Sequence, residues 1–474
     1  MDQQQRQQVQ GEARMSRRDF SWFRMDGDCN LMVINSLLMF EGQLDFPALR
    51  ATLEQRLPNY ARFTQVVGRS AWGRPLWLAA PDFDLAQHVE LDPEQGALDD
   101  TELHALLASE APRPLASGRP LWHMRVIRRA EGGFAILFRL HHCITDGLGL
   151  VHVLKHLTDE TMAIGQPPSL EWHPQHAKVS APSGLLCSRL RRMLFWARIS
   201  AQLGRLALLL PDRRSSLKKP LSGDKALVQL PPLSLNLVRS IAKRMNATIN
   251  DVWVAAVAGA LRAYLQERGE PAAGRSLRAA VTFNLRNKGD AFLLGNHFGL
   301  VAVNLPSDVE RPRDRLLQTN ARMNAIKASH QPHATMFFLT LTGYLPRVLQ
   351  SWVLKLFTAK GSVVLTNVEG PPEPRYLAGN RLLDAICWVP QAGTMGVGFA
   401  LMSYAGQIQI SMFADRSQVE DPQRLMALVA EAFACLEADT RLNALADQPT
   451  EHAGGQPAGS APVGLAAQAM RADA

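Results

Sequence analysis

FAILFRLHHCITDGLGL, residues 134–150, runs from an apolar stretch straight into two adjacent histidines, His141 and His142, and then to an Asp-Gly pair, Asp146 and Gly147. The apolar run reads as a buried strand, and LGLVHVLKHL behind the Asp-Gly pair sets its apolar residues at helical spacing. Upstream, RPLWHMRVIRRAEGG supplies the other arm of a hairpin: Trp122, Met124 and Val126 alternate, and Glu131-Gly132-Gly133 turns the chain. Successive side chains on a strand face opposite ways, so two histidines in extended backbone put one ring at a cleft and the other in the packed interior. Only one is then placed to act as a base, the other serving structure. Asp146, ahead of a glycine and a helix, suits a brace: it can accept backbone N–H groups of that helix or pair with an arginine. Arg286, in FNLR, is a candidate for that partner. Gly147 permits a tight turn that a Cβ would resist.

Around this stretch the elements alternate. LDFPALRATLEQRL reads as a helix with Asp45 at its cap and Leu49, Leu53 and Leu57 on one face. GLLCSRLRRMLFWARISAQLGRLALLL, residues 184–210, reads as a basic amphipathic helix that leads into the charged linker PDRRSSLKKPLSGDK. Beyond it come a helix in INDVWVAAVAGALRAYLQE, strands in SLRAAVTFNLR, FGLVAVNL, GSVVLTNV, AICWVP, GVGFALMS and QIQISMF, and a last helix in DPQRLMALVAEAFACLEA. The expected organisation is a disordered N-terminus over 1–14, a first domain over 15–183, helix and linker over 184–225, a second domain over 226–445 and a disordered tail over 446–474. Helices and strands mixed in both halves, with a hairpin signal at Ala405-Gly406, predict an α/β fold with mixed sheets.

Composition removes several classes of function. A chain of 474 residues, 47 % hydrophobic, buries a large core without staples. Its five cysteines are scattered without any C-x-x-C spacing, so neither a disulfide framework nor a thiolate metal site is expected, and a reducing cytoplasm fits. The polar N-terminus has no apolar signal core, and no apolar run is long enough to predict a spanning helix. Of the net +8, ten basic residues against two acidic ones fall between Arg189 and Lys225. Such a segment can meet an anionic membrane surface or a phosphorylated substrate. Nucleic acid is not expected, for no nucleic-acid-binding motif accompanies it.

HHCITDG resembles the H-H-x-x-x-D-G motif of the acyltransferase superfamily that includes chloramphenicol acetyltransferase and condensation domains. The chain as a whole is similar to the bacterial wax ester synthase/acyl-CoA:diacylglycerol acyltransferases. The similarity spans about residues 16 to 440 and is carried by DFSWF, GRPLWLAAPDFDLAQHV, RPLWHMRVI, the histidine motif, TINDVWVAAVAGALRAYL, GNHFGLVAVNLP, LTNVEGPPEPRYLAG and CWVPQAG, in matching order. Glu369 stands where that family usually has proline, and Cys143, Ile144 and Thr145 fill variable positions.

The resemblance implies two chloramphenicol acetyltransferase-like domains with the active site at their interface. It implies His142 as the general base, which takes the proton from an acceptor hydroxyl attacking the thioester of acyl-CoA, with no covalent intermediate and no cofactor. The substrates it implies are acyl-CoA and diacylglycerol or a long-chain alcohol. It also brings in Asn250-Asp251, as the family's Asn-Asp pair, and Asp26, an acidic residue near the cleft. Asn250 is a candidate donor to the thioester oxygen, although Thr248 and Asn250 can equally be helix caps. Trp122 reads chiefly as core.

Rival readings are weaker. His152 and His156 stand at i, i+4, but H-V-L-K-H lacks the glutamate of the H-E-x-x-H motif, so no metal site is expected. No G-x-S-x-G elbow marks a serine hydrolase. A non-catalytic or different-acceptor member of the same fold is the remaining alternative. With a lipid acceptor and no spanning helix, the expected location is cytoplasmic, in peripheral contact with the inner face of the membrane. Leu185, Leu186, Leu190, Phe195, Trp196 and Leu206 are the candidates to enter it, with Arg189, Arg192 and Arg205 facing anionic lipid.

Overall fold

A computed structural model of the chain describes residues 13–27, 29–92, 96–165, 185–271, 274, 276–286 and 294–446, without the side chains of 185–191 and 442–446. In order the elements are β1 (Ala13–Arg14), α1 (Arg17–Phe23), β2 (Val33–Phe40), α2 (Phe46–Arg56), β3 (Gln65–Arg69), β4 (Pro75–Ala79), β5 (Val89–Leu91), α3 (Asp100–Glu110), β6 (Trp122–Arg128), β7 (Phe134–His141) and α4 (Gly147–Leu157). There follow α5 (Leu185–Leu208), β8 (Lys225–Gln229), β9 (Leu233–Ser234), α6 (Leu235–Arg244), α7 (Ile249–Glu267), β10 (Arg278–Asn284), β11 (Phe298–Asn304), α8 (Pro312–Lys327), α9 (Gln331–Thr342) and α10 (Arg347–Thr358). The chain closes with β12 (Val363–Glu369), β13 (Tyr376–Leu377), β14 (Asn380–Trp388), β15 (Val397–Tyr404), β16 (Gln407–Asp415) and α11 (Pro422–Ala446).

Two large mixed sheets organise these elements, with order β13-β14-β2-β7-β6-β5 in the first and β11-β10-β12-β15-β16-β8 in the second, while β1, β4 and β3 form a third, small sheet. The hairpin around the histidine motif forms as its pattern dictates: β6 and β7 are antiparallel, and Trp122, Met124 and Val126 are buried. α2 starts at Asp45, whose side chain accepts the Ala48 N–H, and buries Leu49 and Leu53, with Leu57 just past its end. Ala405 and Gly406, at φ of 46° and 80°, make the tight turn between β15 and β16.

α7 is apolar nearly all round, and Val252 through Ala258 are fully enclosed in the core of the second half. A helix of that kind is held by burial on every face, and each large side chain it buries contributes about 1.5–3 kcal/mol.

Three expectations change. The strand over AICWVP, β14, leaves the second half and pairs with β2, Trp388 lying opposite Asn35, so the second half completes the first sheet. The 184–225 segment is not a free linker. The Asp212 carboxylate is buried and accepts the Arg278 N–H and the Ser362 hydroxyl, and Lys225 is enclosed in β8 with its Nζ 3.1 Å from Asp415. Of the basic residues there, Lys225 is committed to packing, whereas Arg192, Arg198, Arg205, Arg213, Arg214 and Lys219 are exposed. Ala13 and Arg14, assigned to a disordered end, pair with Trp77 and Leu76, whereas 1–12 and 447–474 lie outside the described residues.

Candidate active site

β7 is flanked on both sides, by β2 and β6, and its regular pairing ends at His141, opposite Val33. His142 still donates its N–H to Met32 O at 2.7 Å, but the Ile144 N–H then reaches back to His141 O and the chain turns. The histidines thus do not share one extended strand: His141 closes it and His142 opens the turn. His141 is built in. Its Nδ1 accepts the Cys143 N–H at 3.0 Å and its Nε2 lies 3.4 Å from the Asp26 carboxylate, which is itself held by the Met32 N–H at 2.6 Å.

The His142 ring stacks on Trp22, centroids 4.4 Å apart and planes at 11°, with Phe298 at 5.5 Å on another side. Its Nδ1 is 2.7 Å from Asn296 Oδ1. Burial lowers the proton affinity of this imidazole below the ordinary histidine value, although nearby Asp146 and the bond to Asn296 pull the other way. The ring is accordingly neutral at pH 7.

Asp146 is the N-cap of α4, accepting the Gly149 N–H at 2.9 Å on Oδ1. The same oxygen meets Arg286 at 2.8 Å, and Oδ2 accepts the His297 N–H at 2.8 Å. Arg286 also donates to Gly295 O. One carboxylate thus ties the turn of the first half to the segments before and after 287–293 in the second.

Two cavities meet at His142. One, of about 910 Å³, runs into the first half between its sheet and α4, and is lined by apolar side chains such as Ile34, Leu38, Phe138, Leu150 and Leu154. The other, of about 770 Å³, borders the second sheet and includes Trp22, Thr282, Asn284 and Asn367. His142, Gly147, Thr366, Val368, Val389 and Pro390 line both. A Cβ on Gly147 would stand 2.9 Å from Val368 Cγ2, so glycine is what leaves room between the halves here.

His142, His141, Asp146, Gly147, Asp26 and Arg286 are therefore brought together. Asn250 and Asp251 are not. They start α7, where Asp251 and Thr248 exchange the two bonds of a capping box and Asp251 also accepts from Asn320, and neither residue lines either cavity. A threonine three residues ahead of an aspartate satisfies free backbone donors at a helix start, and that need is met here by Thr248 and Asp251. Trp122 is core, its indole N–H bonded to Phe63 O. Among the described residues no three His, Cys, Asp or Glu side chains converge as metal ligands. Glu369 ends β12 opposite Ser403, exposed. Reading by residue type missed Trp22, Asp19 and Asn296; their only signal was that DFSWF and GNHFGLVAVNLP belonged to the family pattern.

The site and fold have counterparts. Residues 24–253 match the wax ester synthase/diacylglycerol acyltransferase catalytic domain and 294–437 the WS/DGAT C-terminal domain. The solved structure of a wax ester synthase/diacylglycerol acyltransferase from Marinobacter aquaeolei VT8 superposes with a TM-score of 0.64 at 21 % identity, over 90 % of this chain and 100 % of that one. The first condensation domain of the CDA synthetase gives 0.61 at 15 % identity, over 90 % and 96 % of the two chains. These two likenesses speak for a shared fold, the chloramphenicol acetyltransferase-like pair of domains. In sequence, the "probable diacylglycerol O-acyltransferase tgs1" of Mycobacterium tuberculosis is 31 % identical over 424 residues, 86 % of this chain and 91 % of that protein. With both domains matched in order and that identity sustained across nearly the whole length, the chain belongs to the wax ester synthase/diacylglycerol acyltransferase family.

Proposed function

We propose that the protein is an acyl-CoA-dependent O-acyltransferase that esterifies diacylglycerol or a long-chain alcohol. The observation that carries this reading is the neutral His142 imidazole in the wall common to an apolar and a more polar cavity. The apolar cavity suits a fatty acyl chain. On this reading His142 Nε2 takes the proton of the acceptor hydroxyl as that oxygen attacks the thioester carbon. The tetrahedral adduct then collapses, the C–S bond breaks and the imidazolium returns the proton to the departing CoA sulfur. Thr366, common to both cavities, offers a hydroxyl donor for the charge on the thioester oxygen in place of Asn250. Asp146 and Arg286 brace the turn that carries His142. Acyl-CoA enters as substrate, and the steps call on no cofactor or metal.

The acceptor is met at a lipid surface, on the same proposal. No helix among the described residues is long and apolar enough to span a membrane. Yet α5 and α10 expose Met193, Leu194, Val348 at 84 %, Trp352 at 60 % and Leu356, and the two helices line one apolar groove of about 1320 Å³. α5, α9 and α10 carry no aspartate or glutamate, while Arg192, Arg198, Arg205, Arg347 and Lys355 are exposed on α5 and α10. Cations around apolar side chains without a carboxylate suit an anionic bilayer, on the cytoplasmic side where acyl-CoA is supplied. The contact differs from the one expected of residues 185–210. Leu206 is buried, Phe195 and Trp196 stay exposed although Trp196 packs one face on Phe337, and the side chains of Leu185, Leu186, Arg189 and Leu190 lie outside the described residues.

The test of the activity is purified full-length protein with long-chain acyl-CoA and a panel of diacylglycerol, hexadecanol and glycerol. Ester formed with a lipid acceptor, one equivalent of free CoA per ester, is the expected result. CoA released without ester from any acceptor would overturn it.

A further inference from the structure

We propose that Asn296, held by Asp19, is a positioning residue that fixes the ring proton of His142 on Nδ1 and leaves Nε2 as its basic nitrogen. The proposal rests on the reading of His142 as the general base.

Asn296 is fully buried, and every polar atom of its amide is engaged. Its Nδ2 donates to Asp19 Oδ1 at 2.9 Å and to the His142 carbonyl oxygen at 2.8 Å. A carboxylate and a peptide oxygen only accept, so both amide hydrogens are spent on them and the amide oxygen is the atom facing His142 Nδ1. That oxygen in turn requires a hydrogen on Nδ1. A neutral imidazole has one proton, and Nε2 is left with a lone pair. Turning the amide over would set its oxygen against the Asp19 carboxylate and the His142 carbonyl, two repulsive contacts between buried groups.

Asp19 is fixed as firmly as the amide it orients. It is 1 % exposed, its own N–H goes to Ser16 Oγ at 3.0 Å, and Oδ1 also accepts the Asn296 backbone N–H at 3.1 Å. Arg62 reaches its Oδ2 at 3.3 Å and Ile144 O, in the histidine turn, at 2.7 Å. Asp19 and Trp22 sit three positions apart on α1, so this one turn of helix sets both the plane of the catalytic ring and its tautomer. α1 is pinned from behind by α9 and α10, through Ser21 to Thr342 at 2.8 Å and Gln350 to Ser21 O at 3.0 Å.

The neighbouring ring is arranged the other way. The Cys143 amide hydrogen occupies His141 Nδ1, which puts that proton on Nε2, toward Asp26. His141 thus holds a proton on its distal nitrogen, and of the two adjacent rings only His142 keeps a lone pair there.

The test is nuclear magnetic resonance of ring nitrogens in the full-length protein labelled with ¹⁵N-histidine, the His142 signals being identified by their loss in His142→Ala. Protonated Nδ1 and bare Nε2 are expected above pH 7; a proton on Nε2 of His142 in the wild type overturns the proposal. In Asn296→Ala, kcat should fall about 10²-fold with KM for acyl-CoA nearly unchanged. Its acid limb should move to lower pH, because the lost bond favoured the protonated ring. Against His142→Ala the same change should have no further effect on rate. A wild-type kcat in Asn296→Ala, or an undiminished fall in the His142→Ala background, would mean that Asn296 does not act through this ring. An active His142→Ala protein would remove the base, and the proposal with it, whatever the tautomer.

Discussion

Asp146 Oδ1 and the Arg286 guanidinium are 2.8 Å apart, side chains 9 % and 4 % exposed, and they join the histidine turn to the segment just past β10, the strand beside the second sheet's edge strand β11. Removing one partner strands a buried charge, so Asp146→Ala or Arg286→Ala should each destabilise the fold by about 3–5 kcal/mol. Asp146→Ala/Arg286→Ala should lose less than the two singles together. Denaturant unfolding of the four proteins measures this, and strictly additive losses would show that the pair is not coupled.

His142→Ala should lower acyl transfer by about 10²- to 10⁴-fold while leaving the melting temperature near that of the wild type. His141→Ala should act differently. It removes the acceptor of the Cys143 N–H deep in the fold, and loss of stability should accompany loss of rate. Thermal melts beside initial rates separate the two patterns.

The pH dependence of rate has a fixed sign. Burial holds His142 below the ordinary 6.5, so its ring is neutral at pH 7 and, if it is the base proposed above, kcat should decline only on acidification past that lowered value. An acid limb centred above 6.5 would contradict the environment described for this ring.

Stability should also fall in acid, in two windows. Below about pH 6.5 the unfolded chain protonates histidines that the fold keeps neutral, His142 among them, and stability drops as pH falls. Asp415 acts lower: burial opposes its charge, but bonds from Ser417 and Ser222 and the Lys225 ammonium outweigh this and hold it below the usual carboxylate range. Its contribution is present above its unfolded value of 3.8 and disappears as pH falls through the depressed one. An Asp415→Asn protein should therefore be weaker at neutral pH yet lose less on going from pH 5 to pH 2, as urea titrations would reveal.

Gly147→Ala should reduce activity more than stability, since its Cβ would press on Val368 Cγ2 at 2.9 Å where the two cavities meet. Val368→Ala in the same chain should restore part of the rate by removing the obstructing methyl groups. Failure of that rescue would show that the opening between the cavities is not what glycine preserves.

Wild-type protein should sediment with vesicles containing phosphatidylglycerol at low salt and release at high salt, with attraction of about 1 kcal/mol per basic residue near the surface. Trp352→Ser/Leu356→Ser should weaken binding, as should Arg347→Gln/Lys355→Gln. Wild-type protein that stays in the supernatant at low salt would place the lipid contact elsewhere.

The local grammar of the chain was legible where its pattern is strong, though α1, β2 and the helices α8, α9 and α10 were not read from it. Alternation at Trp122, Met124 and Val126, the cap at Asp45 and the turn at Ala405-Gly406 are decided within a few residues, and each element formed where its pattern put it. Asp146 as a brace and Arg286 as its partner were reachable by residue type, whereas the choice of His142 over His141 came from the family resemblance. Asn250-Asp251 shows the limit: the pair has the right letters, but the start of α7 uses Asp251 in its capping box and neither residue lines the cavities at His142.

What the sequence by itself determined, then, are strands, helices and caps, because hydrophobic periodicity and backbone satisfaction act over short distances; that the histidine turn suits acyl transfer came from the family resemblance of its motif. Only the tertiary structure decided which strands are neighbours and which nitrogen of His142 is basic. The apolar pattern of β14 says that it is buried, not that β2 is its partner, since any strand edge offers the same N–H and C=O groups. Asn296 lies 154 residues from His142, and Asp19 lies 277 from Asn296. A hydrogen bond depends on tenths of an ångström, and no spacing along the chain encodes that before the two halves have packed.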